Sequence, residues 1–189
     1  IIDQAAQRGI KIIVIDSDVN SSQVSCRIGT NNLQAGIKAA EAALATDDEE
    51  LYIGIVNYDV NSANGQQREL GFRQTVEQDP RVKNITTINV LSTTEDARAG
   101  AKEMLLSDSR INVVVTFNEW TSLGVGWAIR DLNRADRIQV VAFDSNVVSV
   151  GMLETGEVDA LIVQNPYAMG YLGVETAANL MNGQTGGPS

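Results

Sequence analysis

Hydrophobic and polar positions along this chain follow two alternating periods. Short runs rich in Val and Ile predict β-strands. These runs are residues 11–16, 51–56, 84–90, 111–117, 138–144 and 159–164. The longer stretches between them place apolar residues three or four positions apart, which predicts amphipathic helices. Strand and helix therefore alternate, and this order predicts an α/β fold with parallel sheets flanked by helices.

Three helical stripes are expected to face the core. Their members are Leu33, Ile37, Ala40 and Leu44 in the first, Ala97, Ala101, Met104 and Leu105 in the second, and Trp120, Leu123, Trp127 and Ala128 in the third. At the start of the chain, residues 1–8 fit the tail of a helix, and Gly9 fits the position that ends it. We therefore expect the chain to begin inside a domain.

Polar residues stand at the carboxyl ends of five predicted strands. They are Asp16, Asn57, Asn118, Asp144 and Gln164. Parallel α/β sheets bind ligands at this edge. Because Asp and Asn also cap the helices that follow strands, each residue taken alone fits a structural role as well. Five such ends together predict a site of amides and carboxylates suited to the hydroxyls of a sugar or polyol.

Composition narrows the possible functions. The 189 residues are 43% hydrophobic, which is enough for a packed core, and 14 basic against 24 acidic residues give a formal charge of −10. That charge argues against nucleic acid as a partner. The absence of histidine removes Ser-His-Asp and Cys-His catalysis and histidine zinc sites. The single cysteine, Cys26, lies in an alternating run and is predicted to be a buried structural thiol.

Other chemistries find little support. No glycine-rich phosphate motif follows a strand. The acidic run 47–50 between a helix and a strand is typical of a solvated turn, with a calcium site as the weaker alternative. Asp16 and Asp144 are a conceivable glycosidase pair, but the sequence does not give their separation. We expect no catalytic residue, no metal and no cofactor.

Six phrases resemble the ribose-binding branch of the type I periplasmic sugar-binding proteins. In order they are GIKIIVIDSD, IGTNNLQAG, QQRELGF, VVVTFNEWTSLG, VVAFDSN and DALIVQNPYAMG. The resemblance covers nearly the whole chain and implies a two-lobed clamp that closes about a hinge on a monosaccharide or similar polyol. It implies the solute-binding component of a sugar ABC transporter, periplasmic or extracellular, with a lipid anchor as one form. Its partners would be a membrane permease or a chemoreceptor.

The resemblance also implies a binding site. The family positions that hydrogen-bond sugar hydroxyls fall on Asp16, Asn118, Asp144 and Gln164. A further family position, an arginine, falls on Gln66, while Arg68 matches the arginine of the following helix segment. These carry-overs make Asp16, Gln66, Asn118, Asp144 and Gln164 the predicted ligand-binding residues.

Two departures from the family pattern bear on the ligand. Ser17 stands where the sugar binders of this branch have an arginine, which removes a bidentate donor and argues against ribose itself. Glu95 stands where they have a stacking aromatic, and Ser92 with Glu95 fits a capping box. Trp120 is a candidate replacement aromatic for the sugar, although its place in a helical stripe favours the core.

The family template also predicts the domain organisation. Residues 1–28 would belong to a partial N-terminal lobe, residues 29–164 to a complete C-terminal lobe, and residues 165–189 to a segment returning to the first lobe. The first strands and helices of lobe one would be missing, as in a chain truncated at its N-terminus. Two alternatives share this fold: the effector-binding domain of a regulator resembling the lactose repressor, and the extracellular sensor domain of a receptor.

Overall fold

A computed structural model describes residues 1–16, 19–91, 93–144 and 146–183. In chain order the elements are α1 (Ile2–Gln7), β1 (Ile13–Ile15), β2 (Cys26–Ile28), α2 (Asn32–Leu44), β3 (Leu51–Asn57), α3 (Ala63–Val76), β4 (Val82–Asn89), α4 (Thr94–Ser107), β5 (Val113–Thr116), α5 (Glu119–Leu132), β6 (Gln139–Phe143), α6 (Val147–Thr155), β7 (Ala160–Ile162) and α7 (Pro166–Met181). They form two compact units. Unit 1 comprises Ile1–Asn31 and Gln164–Ser189, and unit 2 comprises Asn32–Val163.

Unit 2 is built on a five-stranded parallel sheet in the order β4-β3-β5-β6-β7. Successive side chains of a strand point to opposite faces, so a strand covered on both sides is apolar throughout. Val113 and Val115 pack into one cluster with α2 and α3, whereas Val114 packs into a second cluster with α4, α5 and α6. The sheet is therefore the middle layer of three, and the predicted α/β fold with a parallel sheet flanked by helices is confirmed.

Helices α2 and α3 touch through glycine. A Cβ atom at Gly36 would lie 2.0 Å from the carbonyl oxygen of Arg68, and one at Gly71 would lie 2.1 Å from that of Leu33. No side chain fits at either position, so the two backbones are in direct contact. This crossing brings α3 close enough for a side chain on it to reach the strand ends beneath α2.

Unit 1 contains the two-stranded parallel sheet of β1 and β2, with Ile13 paired to Cys26 and Ile15 to Ile28. Helix α7 packs against β1, where Gly173 faces the side chain of Ile15. Helix α1 precedes β1 and is followed by Gly9 at φ 79°. A helix over the first residues, with Gly9 as its stop, is thus confirmed.

The structure corrects two predictions about packing. The stripe predicted for α2 is right only in part. Ala40 is buried and Leu44 packs against the core, but Leu33 is 39% exposed, and the other buried residues of the helix are mostly small ones, among them Ala35, Ala39 and Ala43. Small side chains face inward there because α3 lies so near.

Strand β2 was not predicted, since three residues leave too short a pattern, and Cys26 on it is partly exposed rather than buried.

A further correction concerns the start of α4. Its N-cap is Thr93, whose hydroxyl accepts a hydrogen bond from the backbone N–H of Asp96 at 3.0 Å. The cap therefore lies one residue after the predicted Ser92, and Glu95 belongs to the first turn. Ser92 and Ser17 lie outside the described residues.

None of the helices in the described ranges combines the length and hydropathy that a membrane span needs.

Candidate functional site

Two of the predicted site residues come together at the carboxyl edge of unit 2. Strands β5 and β6 are neighbours, and their register pairs Val115 with Val141. Three residues further along each strand stand Asn118 and Asp144. The register therefore brings an amide and a carboxylate to the same level at the edge where parallel sheets bind ligands.

Asn118 is both a helix cap and a remaining hydrogen-bond donor. Its Oδ1 accepts from the backbone N–H of Thr121 at 3.0 Å and from the hydroxyl of Thr121 at 2.5 Å, which caps α5. Its Nδ2 makes no hydrogen bond to any residue that the structure describes. The helix cap therefore uses Oδ1 of Asn118, and the predicted ligand contact would use Nδ2. One side chain can fill both roles.

Asp144 ends β6 in an unusual backbone conformation. Its φ of 60° lies in the left-handed region, which non-glycine residues adopt at a cost of roughly 1–3 kcal/mol. The turn is fixed by its backbone N–H, which donates to the carbonyl oxygen of Ile162 at 2.8 Å. The side chain is half-buried. Such strain at a polar residue is common where function demands a particular side-chain direction.

Ser122 forms hydrogen bonds to both strand ends. This buried hydroxyl donates to the carbonyl oxygen of Asn118 at 2.6 Å and accepts from the backbone N–H of Phe143 at 3.0 Å. It also lies 2.6 Å from the hydroxyl of Thr116. Sequence reasoning missed Ser122; the available signal was a small hydroxyl residue in the first turn of the helix after a strand-end asparagine.

Asn57 and Gln66 differ from this pair in their surroundings. Asn57 is fully buried. Its Nδ2 donates to the carbonyl oxygen of Gly65 and to Glu69, and its Oδ1 accepts from the backbone N–H of Tyr58. It is a structural residue of the turn after β3. Gln66 lies one turn into α3 with an exposed side chain that bonds no described residue.

An aromatic pair lies near the same edge. Trp120 packs partly buried against the core, as the helical stripe predicted. Its ring meets that of Tyr58 edge to face at a centroid distance of 6.1 Å. Tyr58 follows β3, and Trp120 lies in the first turn of α5. Contact of Trp120 with a ligand stays a prediction.

The remaining two predicted site residues lie in unit 1. Asp16 ends β1 with φ 70°, and its backbone N–H donates to the carbonyl oxygen of Ile28 at 2.9 Å. Its side chain is exposed. The half-buried Gln164 accepts a hydrogen bond at Oε1 from the hydroxyl of Thr30 at 2.8 Å, so its amide is held in one orientation.

A concavity of about 670 Å³ lies elsewhere, at the amino-terminal edge of the unit 2 sheet. It is lined partly by Gln139, which begins β6, and by Asp159. Burial raises the pKa of the Asp159 carboxyl, while a hydrogen bond from the backbone N–H of Val140 opposes that rise. The cavity contains none of the predicted site residues. No group of three potential metal ligands is found within the described ranges.

Comparison with known proteins identifies the family of the chain. A family model described as a periplasmic binding protein domain matches residues 1–185. The D-ribose/D-allose-binding protein of Pseudomonas aeruginosa is 25% identical over 98% of this chain, which spans 60% of that relative's length.

Two solved structures share the fold. The periplasmic component of an ABC-type sugar transport system from Hahella chejuensis has a TM-score of 0.93 and 30% identity, covering 97% of this chain and 68% of its own. A carbohydrate transporter solute-binding protein from Agrobacterium radiobacter, in complex with D-arabinose, has a TM-score of 0.93 and 29% identity, covering 98% and 64%.

Proposed function

The chain belongs to the periplasmic binding protein family, and from that premise we propose that it is the solute-binding component of a sugar ABC transporter. Its ligand is a monosaccharide or a similar polyol. Binding rather than catalysis is the proposed activity, and the partner is a membrane permease or a chemoreceptor. The proposed location is periplasmic or extracellular, with a lipid-anchored protein as one form.

The observation that carries this proposal is the pairing of Asn118 and Asp144 at neighbouring strand ends. The Asn118 Nδ2 atom donates and the Asp144 carboxylate accepts, which matches the two hydrogen-bonding roles of a hydroxyl group. Neither residue offers positive charge to a phosphate. A neutral polyhydroxyl ligand fits this pair better than an anionic one, and the net charge of −10 points the same way.

Asp16, Gln164 and Gln66 complete the proposed set of ligand-binding residues. Asp16 supports the assignment because it ends its strand with the same local geometry as Asp144. Gln164 supports it because its amide is oriented by Thr30. Gln66 rests on the family carry-over and on the exposure of its side chain. Closure of two lobes about the ligand, which the resemblance implies, stays a prediction.

A thermal-shift screen of the full chain tests the proposal. Pentoses, hexoses and polyols are compared with nucleosides and with sugar phosphates, because a ligand that binds only the folded state raises the Tm. We expect a clear rise with one class of neutral sugar and none with its phosphate. A flat response across all neutral sugars and polyols, confirmed by isothermal titration, would contradict the proposed function.

A further inference from the structure

Arg68 is an unusual residue for the interior of a small sheet domain. It lies on α3 and is only 2% exposed. A buried charge is costly unless it is paired and hydrogen-bonded. The buried Glu157 follows that rule, since it accepts from Arg130 at 2.6 Å. Arg68 instead directs both of its hydrogen bonds in the described chain to neutral oxygens.

The contacts of Arg68 converge on the strand ends of the candidate site. Its Nη1 donates to the carbonyl oxygen of Phe117 at 2.6 Å, in the residue before Asn118. Its guanidinium lies 4.7 Å from the centroid of the Phe143 ring, in the residue before Asp144. Arg68 therefore contacts the residue before Asn118 and the residue before Asp144.

Arg68 is itself held in place from two directions. Its Nε donates to Oδ1 of Asn32 at 2.9 Å, and Nδ2 of Asn32 donates to Asn64 at 3.1 Å. On the other side the rings of Phe117 and Phe143 meet edge to face at 6.1 Å, so the phenylalanine under the guanidinium is packed. A planar guanidinium can stack on a ring while its edge donates hydrogen bonds, whereas an ammonium group has donors but no planar face to stack.

We propose that Arg68 is a positioning residue of the sugar site, which fixes the strand ends that present Asn118 and Asp144. The proposal rests on the proposed function. It gives Arg68 and Ser122 complementary tasks, because Ser122 bonds the backbone of Asn118 and Phe143 while Arg68 bonds Phe117 and stacks on Phe143. Burying the cation costs free energy, but its contacts make the site rigid.

The test compares Arg68→Lys with Arg130→Gln in the full chain. Arg130→Gln breaks the ion pair to buried Glu157 and so lowers the Tm without touching the strand ends. Sugar affinity is measured by isothermal titration at a temperature at which every variant is folded. We expect Arg68→Lys to raise the Kd at least tenfold and Arg130→Gln to change it less than twofold. Equal Kd values for Arg68→Lys and the wild type would overturn the proposal.

A double-mutant cycle asks whether Arg68 acts through Asn118. Asn118→Ser keeps a helix cap and removes the amide donor. If Arg68 positions that donor, Arg68→Lys raises the Kd less in the Asn118→Ser background than in the wild type. Fully additive effects would contradict the positioning role. Should Arg68→Lys fail to fold, Asn32→Ser replaces it, because that change removes the acceptor of Arg68 Nε and leaves the charge in place.

Failure of the proposed function gives a separate result. If the wild type binds no sugar, amide hydrogen exchange and amide NMR shifts of ligand-free protein still report on the strand ends. Arg68→Lys should then speed exchange and move the resonances at Asn118 and Asp144, while Arg130→Gln should not. Unaltered signals at both residues would overturn the positioning role itself.

Discussion

Asp16 and Asp144 end their strands with the same local geometry. Their φ angles are 70° and 60°, and the backbone N–H of each donates to the carbonyl oxygen of the last paired residue on the next strand, Ile28 at 2.9 Å and Ile162 at 2.8 Å. Asp tolerates the left-handed region better than most residues. The same backbone conformation therefore occurs at two of the proposed ligand-binding residues, in two separate sheets.

The first prediction separates ligand binding from backbone strain at Asp144. Asp144→Gly removes the carboxylate and relieves the left-handed conformation, so we expect sugar affinity to be lost while the free energy of unfolding stays equal or rises by about 1 kcal/mol. Asp144→Ala should lose affinity and also stability, because alanine is strained there. Titration calorimetry and urea unfolding measure the two effects. Undiminished affinity in the glycine variant would remove Asp144 from the site.

The second prediction separates the two roles of Asn118. Asn118→Ser retains an N-cap oxygen and should leave the Tm nearly unchanged, but it removes Nδ2 and should weaken sugar binding at least tenfold. Asn118→Ala removes both and should cost about 1 kcal/mol of stability in addition. Thermal unfolding beside titration calorimetry measures the pair. A serine variant that binds as tightly as the wild type would show that the amide serves the cap alone.

The third prediction concerns the contact of α2 with α3. Gly71→Ala would put a methyl group 2.1 Å from the carbonyl oxygen of Leu33, so the helices must separate and the cost should reach about 1–3 kcal/mol or more. Gly151 is the matched control, because it is a helical glycine with open space around it. Gly151→Ala should stabilise by about 0.5–1 kcal/mol. Urea unfolding that shows equal effects for both changes would contradict the described crossing.

The fourth prediction concerns a surface cluster on α4 and α5. Hydrogen bonds from Arg98 and then Lys102, with their charges, lower the pKa of the Asp131 carboxyl to about 2. Since the folded pKa lies below the unfolded value, the stabilising effect is present above pH 4 or so and is lost as the pH falls towards 2. Arg98→Gln should raise the pKa of Asp131 towards its ordinary value.

Carbon-detected NMR titration of the Asp131 carboxyl checks this shift. Arg110→Gln is the control, because Arg110 pairs with Asp108 instead. It should leave the Asp131 titration where it is. An Asp131 carboxyl that titrates alike in the wild type and in Arg98→Gln would show that the ion pair is not formed in solution.

The sequence by itself determined the fold class and the edge at which the candidate site lies. Apolar runs such as 111–117 predict strands covered on both faces, and polar residues directly after such strands are expected at the carboxyl edge of the sheet. Among the polar strand ends, the family pattern then singled out Asp16, Asn118, Asp144 and Gln164. These features depend on local period and chain order, which can be read without knowing any contact.

Only the tertiary structure decided how those residues are used. Asn57 and Asn118 are the same residue type at the ends of neighbouring strands. The amide of Asn57 donates to Gly65 and Glu69, whereas that of Asn118 bonds no residue that the structure describes. The buried face of α2 depends on the nearness of α3, which two glycines permit. The roles of Ser122 and Arg68 arise from contacts between residues distant in the chain. The pattern of residues along a sequence does not reveal such contacts.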